Sequence, residues 1–152
     1  MNYLVSMKKI FFLLLVVSAG AKSHAQTAED SVKAVINKLF LAMKNSDKVL
    51  LQECFADSAI LQTITSSGRI RNESVAAFAE QISKLPKDAA DERIRFDVVK
   101  TDAALATVWT PYQFYYNGTY SHCGVNSFQL VRLQGVWKIQ YLIDTRRKGD
   151  CL

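Results

Sequence analysis

The C-terminal part of the chain has the pattern of a long antiparallel β-hairpin. Two segments of alternating apolar and polar residues flank a turn at 134–135. A two-residue turn fixes the register of the strands that it joins, so Asn126 is predicted to face Ile143 and His122 to face Arg147. In this register one face is mostly apolar and ends in polar groups. Such a face is typical of a sheet that packs on helices and leaves a pocket at its mouth.

A second hairpin is predicted directly upstream by Asn117-Gly118, a strong short hairpin signal. Its register places Trp109 opposite Asn126 and Gln113 opposite His122. Both hairpins then share one inner face, on which aromatic walls and a few hydrogen-bonding groups resemble the lining of small-molecule pockets. The candidate ligand-binding residues are Trp109, Gln113, His122, Asn126, Tyr141, Thr145 and Arg147.

Ahead of these hairpins the pattern is helical. Apolar residues recur at three- and four-residue spacings between Val32 and Met43, a short second helix follows Asp47, and a third is predicted over 72–85. Strands are predicted over 59–66 and 93–101, and a charged surface loop lies between the third helix and the second of these strands. Helices followed by a run of antiparallel strands predict an α+β fold with the helices on one face of the sheet.

The N-terminus has the organisation of a secretory signal peptide. Two lysines precede an apolar run over 10–17, and small residues precede Gln26. The run is too short to span a bilayer, and no cysteine follows the cleavage site where a lipid would attach. We expect a signal peptide over 1–25 and a single domain over 26–152. The mature protein is expected to be periplasmic or secreted, with no membrane attachment.

Charge argues against nucleic acid as a partner. Cleavage would remove three of the 19 basic residues and none of the 14 acidic ones, so the net charge falls from +5 to +2. The remaining basic residues are spread along the chain rather than clustered, which gives no support for nucleic-acid binding.

The cysteines suggest one disulfide. In an oxidising compartment, three cysteines fit one bridge and one buried thiol, and Cys123 with Cys151 is the favoured pair. Cys54 lies in an amphipathic segment, where a buried small hydrophobe is the simpler interpretation. The mature chain keeps one histidine and has no paired metal-ligand spacing, so neither a metal site nor a cofactor is predicted.

Three segments of the chain carry a resemblance to a known group of proteins. The segments are Lys44-Asn45-Ser46-Asp47, Phe55-Ala56-Asp57-Ser58-Ala59-Ile60-Leu61, and Gly135-Val136-Trp137-Lys138-Ile139 with Asp144-Thr145-Arg146-Arg147. Together they resemble the nuclear transport factor 2-like superfamily, in particular its small exported SnoaL-like and lumazine-binding members. The resemblance implies a cystatin-like cone, a curved antiparallel sheet wrapped around N-terminal helices with a pocket inside. It implies no single function, since the superfamily includes isomerases, cyclases, dehydratases, protein-binding adaptors and ligand carriers.

The same resemblance indicates which residue would be the catalytic base if the protein were an enzyme. Ketosteroid isomerase-like members carry a carboxylate base at the position that Thr63 occupies here, and threonine alone cannot abstract a proton from carbon. Asp144 is the obvious substitute, but the predicted register puts it on the outer face unless a bulge turns it inward. If the protein is an enzyme, His122 is the candidate catalytic residue, with Asn126 or Tyr141 as electrophile.

Three functions are therefore kept open. The favoured one is binding of a small apolar or aromatic molecule without chemistry. The second is a lyase or isomerase that uses His122, and the third is a protein-interaction module whose pocket is filled by its own side chains. The outer face of the sheet is also partly apolar, which predicts a homodimer through that face.

Overall fold

The computed structural model describes residues 27–151. The signal peptide predicted over 1–25 therefore lies outside the described residues. Among 27–151, no helix combines the length and apolar character needed to cross a membrane.

Three helices and seven strands make up the described chain. Each helix begins at a polar residue whose side chain accepts a hydrogen bond from a backbone N–H of the first turn, namely Thr27, Asp47 and Ser74. The elements are α1 Ala28–Asn45, α2 Lys48–Glu53, β1 Phe55–Ile64, β2 Ile70–Glu73, α3 Val75–Ser83, β3 Ala90–Ile94, β4 Val98–Asp102, β5 Leu105–Tyr116, β6 Thr119–Leu133 and β7 Val136–Thr145.

The strands form one curved sheet in the order β2-β1-β7-β6-β5-β3, with β4 also pairing with β5. The first long strand, β1, lies parallel to the last strand, β7, and all other pairs are antiparallel. The helices cover one face, where Val32, Ile36 and Leu39 of α1 are fully buried. Phe128 and Leu130 of β6 are fully buried in the same core. The predicted α+β cone is confirmed.

Several element boundaries were predicted incorrectly. β1 begins at Phe55 rather than at 59, and the strand expected over 93–101 is divided between β3 and β4. The third helix was expected to begin at 72, but β2 extends to Glu73 and Ser74 caps the helix. The charged loop was expected to reach 92, but Ala90–Ile94 is the strand β3, paired with β5. Local composition suggested a loop, whereas pairing with a long neighbouring strand stabilises extended backbone there.

Both predicted hairpins form, but each contains a β-bulge that shifts its register by one residue. In β6 and β7, Leu130 pairs with Ile139 and Gln129 pairs with Tyr141, so Gln140 is the extra residue. Beyond it Asn126 faces Asp144 rather than Ile143. Since adjacent strand residues point to opposite faces, the bulge reverses the prediction for every later residue of β7.

The bulge in the other hairpin lies between its turn and the cavity. Tyr115 pairs with Tyr120 as predicted, but Phe114 pairs with His122, so Ser121 is the extra residue. As a result Trp109 faces Ser127 and Gln113 faces Cys123, and the predicted partners Asn126 and His122 were wrong. Turn chemistry gives the correct register only as far as the first bulge.

Candidate functional site

A cavity of about 280 Å³ lies between the helices and the inner face of the sheet. Its apolar wall comes from α1 and α3, with Phe40 and Met43 on one helix and Phe78 on the other. Its polar wall comes from the strands. The polar and aromatic residues on that side of the cavity are Arg71, Glu73, Glu92, Tyr112, Phe114, His122, Asn126, Asp144 and Arg146.

Asp144 is the centre of a hydrogen-bond network at one end of this wall. Its side chain is buried, because the bulge at Gln140 turns it inward. Oδ1 accepts from the Thr63 hydroxyl at 2.6 Å, and Oδ2 accepts from the Tyr112 hydroxyl at 3.1 Å and from Arg146 Nε at 2.9 Å. The expectation that Asp144 lies on the outer face was wrong. The inward position gives the cavity a carboxylate held in fixed orientation by three donors.

Glu92 brings a second carboxyl group to the cavity. Burial raises its pKa to about 7, and the hydrogen bond from Asn126 Nδ2, 2.8 Å long, opposes part of that rise. The negative charge of Asp144 raises the pKa further, while Arg146 lowers it. The Glu92 carboxyl can therefore gain or lose a proton near neutral pH.

Asn126 holds Glu92 in place. Its Nδ2 also donates to the Thr110 hydroxyl, at 3.4 Å, and Asn126 and Thr110 are both almost completely buried. No buried side-chain nitrogen or oxygen in the described part of the chain lacks a partner. The NH₂ group of the amide thus donates to two protein groups and fixes the carboxyl group beside it.

His122 lies where the cavity meets solvent. Its ring contacts the ring of Phe114, with centroids 5.0 Å apart, and stands edge-on to Tyr112 at 5.7 Å. Its Nδ1 lies 3.1 Å from the Ser121 hydroxyl. Burial lowers its pKa, and the positive charge of Arg146 lowers it further. The imidazole is therefore neutral at neutral pH.

A wider, more open hollow of about 910 Å³ adjoins the cavity at this point. Arg71, His122 and Arg146 line both spaces. Four cationic side chains, Arg71, Arg146, Arg147 and Lys148, line the hollow. None of its lining residues between 27 and 151 is acidic.

The structure separates the seven predicted ligand-binding residues into three groups. His122 and Asn126 line the cavity, whereas Thr145 and Arg147 line the cationic hollow. The other three, Trp109, Gln113 and Tyr141, belong to the outer face of the sheet. Their expected inward orientation was wrong because of the two bulges.

Local contacts agree with this division. Trp109 is 42% exposed, the Gln113 amide oxygen accepts from the Tyr115 hydroxyl, and the Tyr141 hydroxyl donates to Gln62 at 2.6 Å. In the hollow, the Thr145 hydroxyl accepts from the Val125 N–H and Arg147 Nε donates to the Asp150 carbonyl.

Sequence reasoning missed several residues of the site. Glu92 was assigned to a loop, and neither Tyr112 nor Arg146 was among the candidate site residues. One available signal was Gly124, since a glycine inside a strand indicates close approach of another group. It pairs with Tyr112, whose ring lies against it while the Tyr112 hydroxyl donates to the Thr145 carbonyl at 2.9 Å.

The cysteines are arranged as the sequence favoured. Cys123 and Cys151 form a disulfide, with Cα atoms 5.8 Å apart, and Cys54 is a buried free thiol. Backbone hydrogen bonds in both directions between Cys123 and Arg147, each 2.9 Å long, hold the C-terminal segment against β6. Within 27–151 no cluster of three or more potential metal ligands is present.

Comparison with protein families identifies the chain. The model of the family described as "Putative lumazine-binding" matches residues 27–140. The chain belongs to this family. Its relation to the nuclear transport factor 2-like superfamily is thereby confirmed. No curated protein matches the chain.

Solved structures show the same fold for this member of the lumazine-binding family. A nuclear transport factor 2-like protein of unknown function from Shewanella baltica OS155 is 11% identical, with a TM-score of 0.63 over 78% of this chain and 93% of that one. A cystatin-like domain of unknown function from Nostoc punctiforme PCC 73102 is 19% identical, with a TM-score of 0.64 over 83% and 82%. A ketosteroid isomerase-like protein from Erwinia carotovora atroseptica is 14% identical, with a TM-score of 0.60 over 80% and 97%.

Proposed function

We propose that this protein is exported and binds a small, partly apolar molecule in the cavity between its helices and its sheet. The observation that carries the proposal is the division of that cavity into an apolar helix wall and a polar strand wall. Ligand sites commonly combine an apolar lining with a few oriented polar groups. At about 280 Å³ the cavity lies near the lower end of the usual range, which favours a compact ligand such as a small ring system.

The polar wall is suited to recognise such a ring. Glu92 can accept or donate according to its protonation state, and Asp144 and Tyr112 lie beside it along the same wall. Lumazine, which the family description names, is a flat ring system rich in hydrogen-bonding groups and is therefore the first compound to test.

Export is supported by the disulfide as well as by the N-terminal pattern. Bridges of this kind persist in oxidising compartments and are rare in the cytosol. The bond between Cys123 and Cys151 therefore agrees with a periplasmic or secreted location.

The binding experiment uses adjacent residues on opposite faces of β7. Leu142 lines the cavity, whereas Ile143 belongs to the outer face. Leu142→Phe should fill part of the cavity and displace a bound molecule, whereas Ile143→Phe, which adds the same side chain outside, should not. The measurement is native mass spectrometry of protein from its exported fraction, followed by titration with lumazine.

Two results would contradict cavity binding. One is a bound mass that persists in Leu142→Phe, because the molecule would then lie elsewhere. The other is a protein that carries no extra mass and does not bind lumazine or other small aromatic compounds at millimolar concentration. The remaining function considered, an interaction module with a filled pocket, would then be favoured, with Phe40 and Met43 closing the space.

Glu92 supports a second function, proton transfer to or from a carbon atom of the bound molecule. A general base works best when its pKa lies near the working pH, and the pKa of Glu92 is about 7. The Tyr112 hydroxyl lies in the same cavity and can donate to an oxygen that gains charge if it turns its single proton away from Asp144 and the Thr145 carbonyl. In this proposal Glu92, rather than His122, is the catalytic base, since burial keeps His122 a weaker base.

The test of catalysis uses the molecule released from the exported protein. Incubation in heavy water should introduce deuterium into that molecule, and Glu92→Gln should abolish the exchange while affinity stays within a few-fold of wild type. Exchange that survives Glu92→Gln and disappears in His122→Gln would return the role of base to His122.

We further propose that two copies pair through the outer face of the sheet. Ile60 on β1 and Trp109 on β5 are about half exposed there, and Tyr141 and Ile143 of β7 lie between them. Exposed apolar side chains on one continuous face are typical of an interaction surface.

A further inference from the structure

The hollow next to the cavity has an unusual charge for a surface of this protein. It brings together Arg71, Arg146, Arg147 and Lys148, while no carboxylate lines it among residues 27–151. A concave surface lined by charges of one sign concentrates its field and attracts small ions of the opposite sign. Elsewhere many lysines and arginines lie beside acidic residues, as Lys48 beside Glu80 does.

Only one of these four cations is neutralised nearby. Arg146 is paired with Asp144 at 2.9 Å. Within the described residues, Arg71, Arg147 and Lys148 form no ion pair, and Arg147 uses its Nε to donate to the Asp150 carbonyl. Three positive charges therefore remain to interact with an anion, and two of them are guanidinium groups suited to bind carboxylate or phosphate.

Hydroxyl groups line the same hollow. They belong to Thr65, Ser66 and Ser121. The Thr65 hydroxyl donates to the Arg69 carbonyl at 3.0 Å, so Ser66 and Ser121 are the hydroxyls that can donate to a ligand. Arginine with nearby hydroxyl groups is a common arrangement for holding the oxygens of an anion, because each oxygen accepts more than one hydrogen bond.

The hollow and the cavity adjoin at Arg71, His122 and Arg146, which line both. A single molecule that passes between these side chains would contact both spaces. The C-terminal segment that carries Arg147 is also fixed, since its backbone pairs with Cys123 and the disulfide follows it. A site built on fixed backbone loses little entropy when a ligand binds.

We infer that the cationic hollow binds the anionic group, a carboxylate or a phosphate, of the same small molecule whose apolar part occupies the cavity. The inference rests on the proposed binding function and narrows it to a class of ligand. That class is an amphipathic organic anion with a compact apolar or aromatic body.

The test compares two molecules that differ only in charge, 3-phenylpropionate and 3-phenylpropionamide, together with inorganic phosphate. Isothermal titration at low and physiological salt should show at least about tenfold tighter binding of the acid, since charge-assisted hydrogen bonds are the stronger ones. The preference should weaken at higher salt. Phosphate should compete with the acid and not with the amide.

A triple variant provides the decisive comparison. Arg71→Gln with Arg147→Gln and Lys148→Gln should abolish the preference, so that the acid and the amide bind this variant with equal affinity. The matched control replaces three exposed cations elsewhere, Arg95→Gln with Arg132→Gln and Lys100→Gln, so that the net charge falls equally. The control should retain the preference.

His122 supplies an independent readout at the junction of the two spaces. Besides burial, the nearby charges of Arg146 and Lys148 lower its pKa, whereas Asp144 raises it. An anion bound in the hollow should raise the pKa of His122, measured by NMR on the ring signal that His122→Gln removes. The amide should leave that pKa unchanged.

Each failure has a separate meaning. Equal affinity for acid and amide would overturn the anion site and leave cavity binding intact. Loss of the preference in the control triple variant would also overturn it, because the effect would then come from net charge. If phosphate competes with the acid but the amide does not bind measurably, the anion site in the hollow is supported and binding in the cavity is contradicted. If none of the three molecules binds, both proposals fail.

Discussion

Thr63 and Asp144 face each other on the neighbouring strands β1 and β7, and the threonine hydroxyl donates to the Asp144 carboxylate at 2.6 Å. Thr63 stands where related isomerase-like proteins are expected to have a carboxylate base. The neighbouring strand β7 therefore supplies, beside Thr63, the carboxylate that β1 lacks. It arrives only because the bulge at Gln140 turns Asp144 toward the cavity.

Thr63 and Asp144 should be energetically coupled. Thr63→Val and Asp144→Asn each remove part of one network, so the double variant should lose less stability than the two single losses combined. We expect a coupling energy between about 0.5 and 3 kcal/mol from urea unfolding. Thr63→Val combined with Asp97→Asn, on the exposed segment before β4, serves as the control and should be additive. Additivity in both pairs would show that the hydrogen bond contributes nothing to stability.

Glu92 should make the protein less stable as the pH rises through neutrality. Its folded pKa of about 7 exceeds its ordinary value of 4.5, so its favourable contribution is complete below the ordinary value and is lost as the pH rises through 7. Glu92→Gln cannot ionise. Relative to wild type, this variant should therefore gain stability between pH 5 and pH 8, by no more than about 3 kcal/mol.

The measurement is urea unfolding of both proteins across that range of pH. Glu80→Gln is the matched control. Hydrogen bonding and charge from Lys48 lower the pKa of Glu80, so the effect of Glu80 on stability changes only at acidic pH, below the range measured. A stability difference between Glu92→Gln and wild type that stays constant from pH 5 to pH 8 would show that Glu92 does not titrate there.

The sequence was sufficient to predict the fold and the inner face of β6. The helices are amphipathic and capped, and Asn117-Gly118 specifies its turn, so local patterns and the final structure agree. His122 and Asn126 were placed correctly on the inner face because β6 alternates regularly from residue 122 to 130.

The rest of the site could not be predicted because it depends on bulges. A bulge adds one residue on one strand and leaves the pattern of hydrophobicity almost unchanged, so no local signal distinguished Tyr141 from Leu142 as the inward residue. Glu92 escaped notice for another reason. It lies in a charged segment that becomes a strand only by pairing with Phe114 and its neighbours on β5.

Gly124 should tolerate no side chain. A Cβ atom at this position would collide with the Thr145 backbone carbonyl and would lie 2.9 Å from the Tyr112 ring. Gly124→Ala should therefore lower stability by at least about 1–3 kcal/mol, because the backbone of β7 would have to move. Gly149→Ala is the control, since its Cβ would meet no atom within 4 Å. An equal effect of the two substitutions, measured by thermal unfolding, would contradict close packing of β6 against β7.

The disulfide should stabilise the C-terminal segment. It closes a loop of 28 residues, so its loss in Cys151→Ser should cost about 3 kcal/mol by the chain-entropy account.

Burial raises the pKa of Cys54 to about 11, so its thiol should stay unreactive until the protein unfolds. Alkylation of native protein followed by mass spectrometry should find no modified cysteine. Rapid labelling of Cys123 or Cys151 without reductant would show that the bond does not form in the protein.

The proposed pairing of two copies through the outer sheet face makes a prediction about Trp109. It lies 42% exposed on that face, so Trp109→Glu would bring a charge into an apolar interface and should convert the dimer to a monomer. Leu41→Glu is the control, because Leu41 is 54% exposed on α1, which packs on the opposite side of the sheet. Sedimentation equilibrium distinguishes the states. A wild-type protein that is monomeric at high micromolar concentration, or a dimer that survives Trp109→Glu and separates in Leu41→Glu, would place any interface elsewhere.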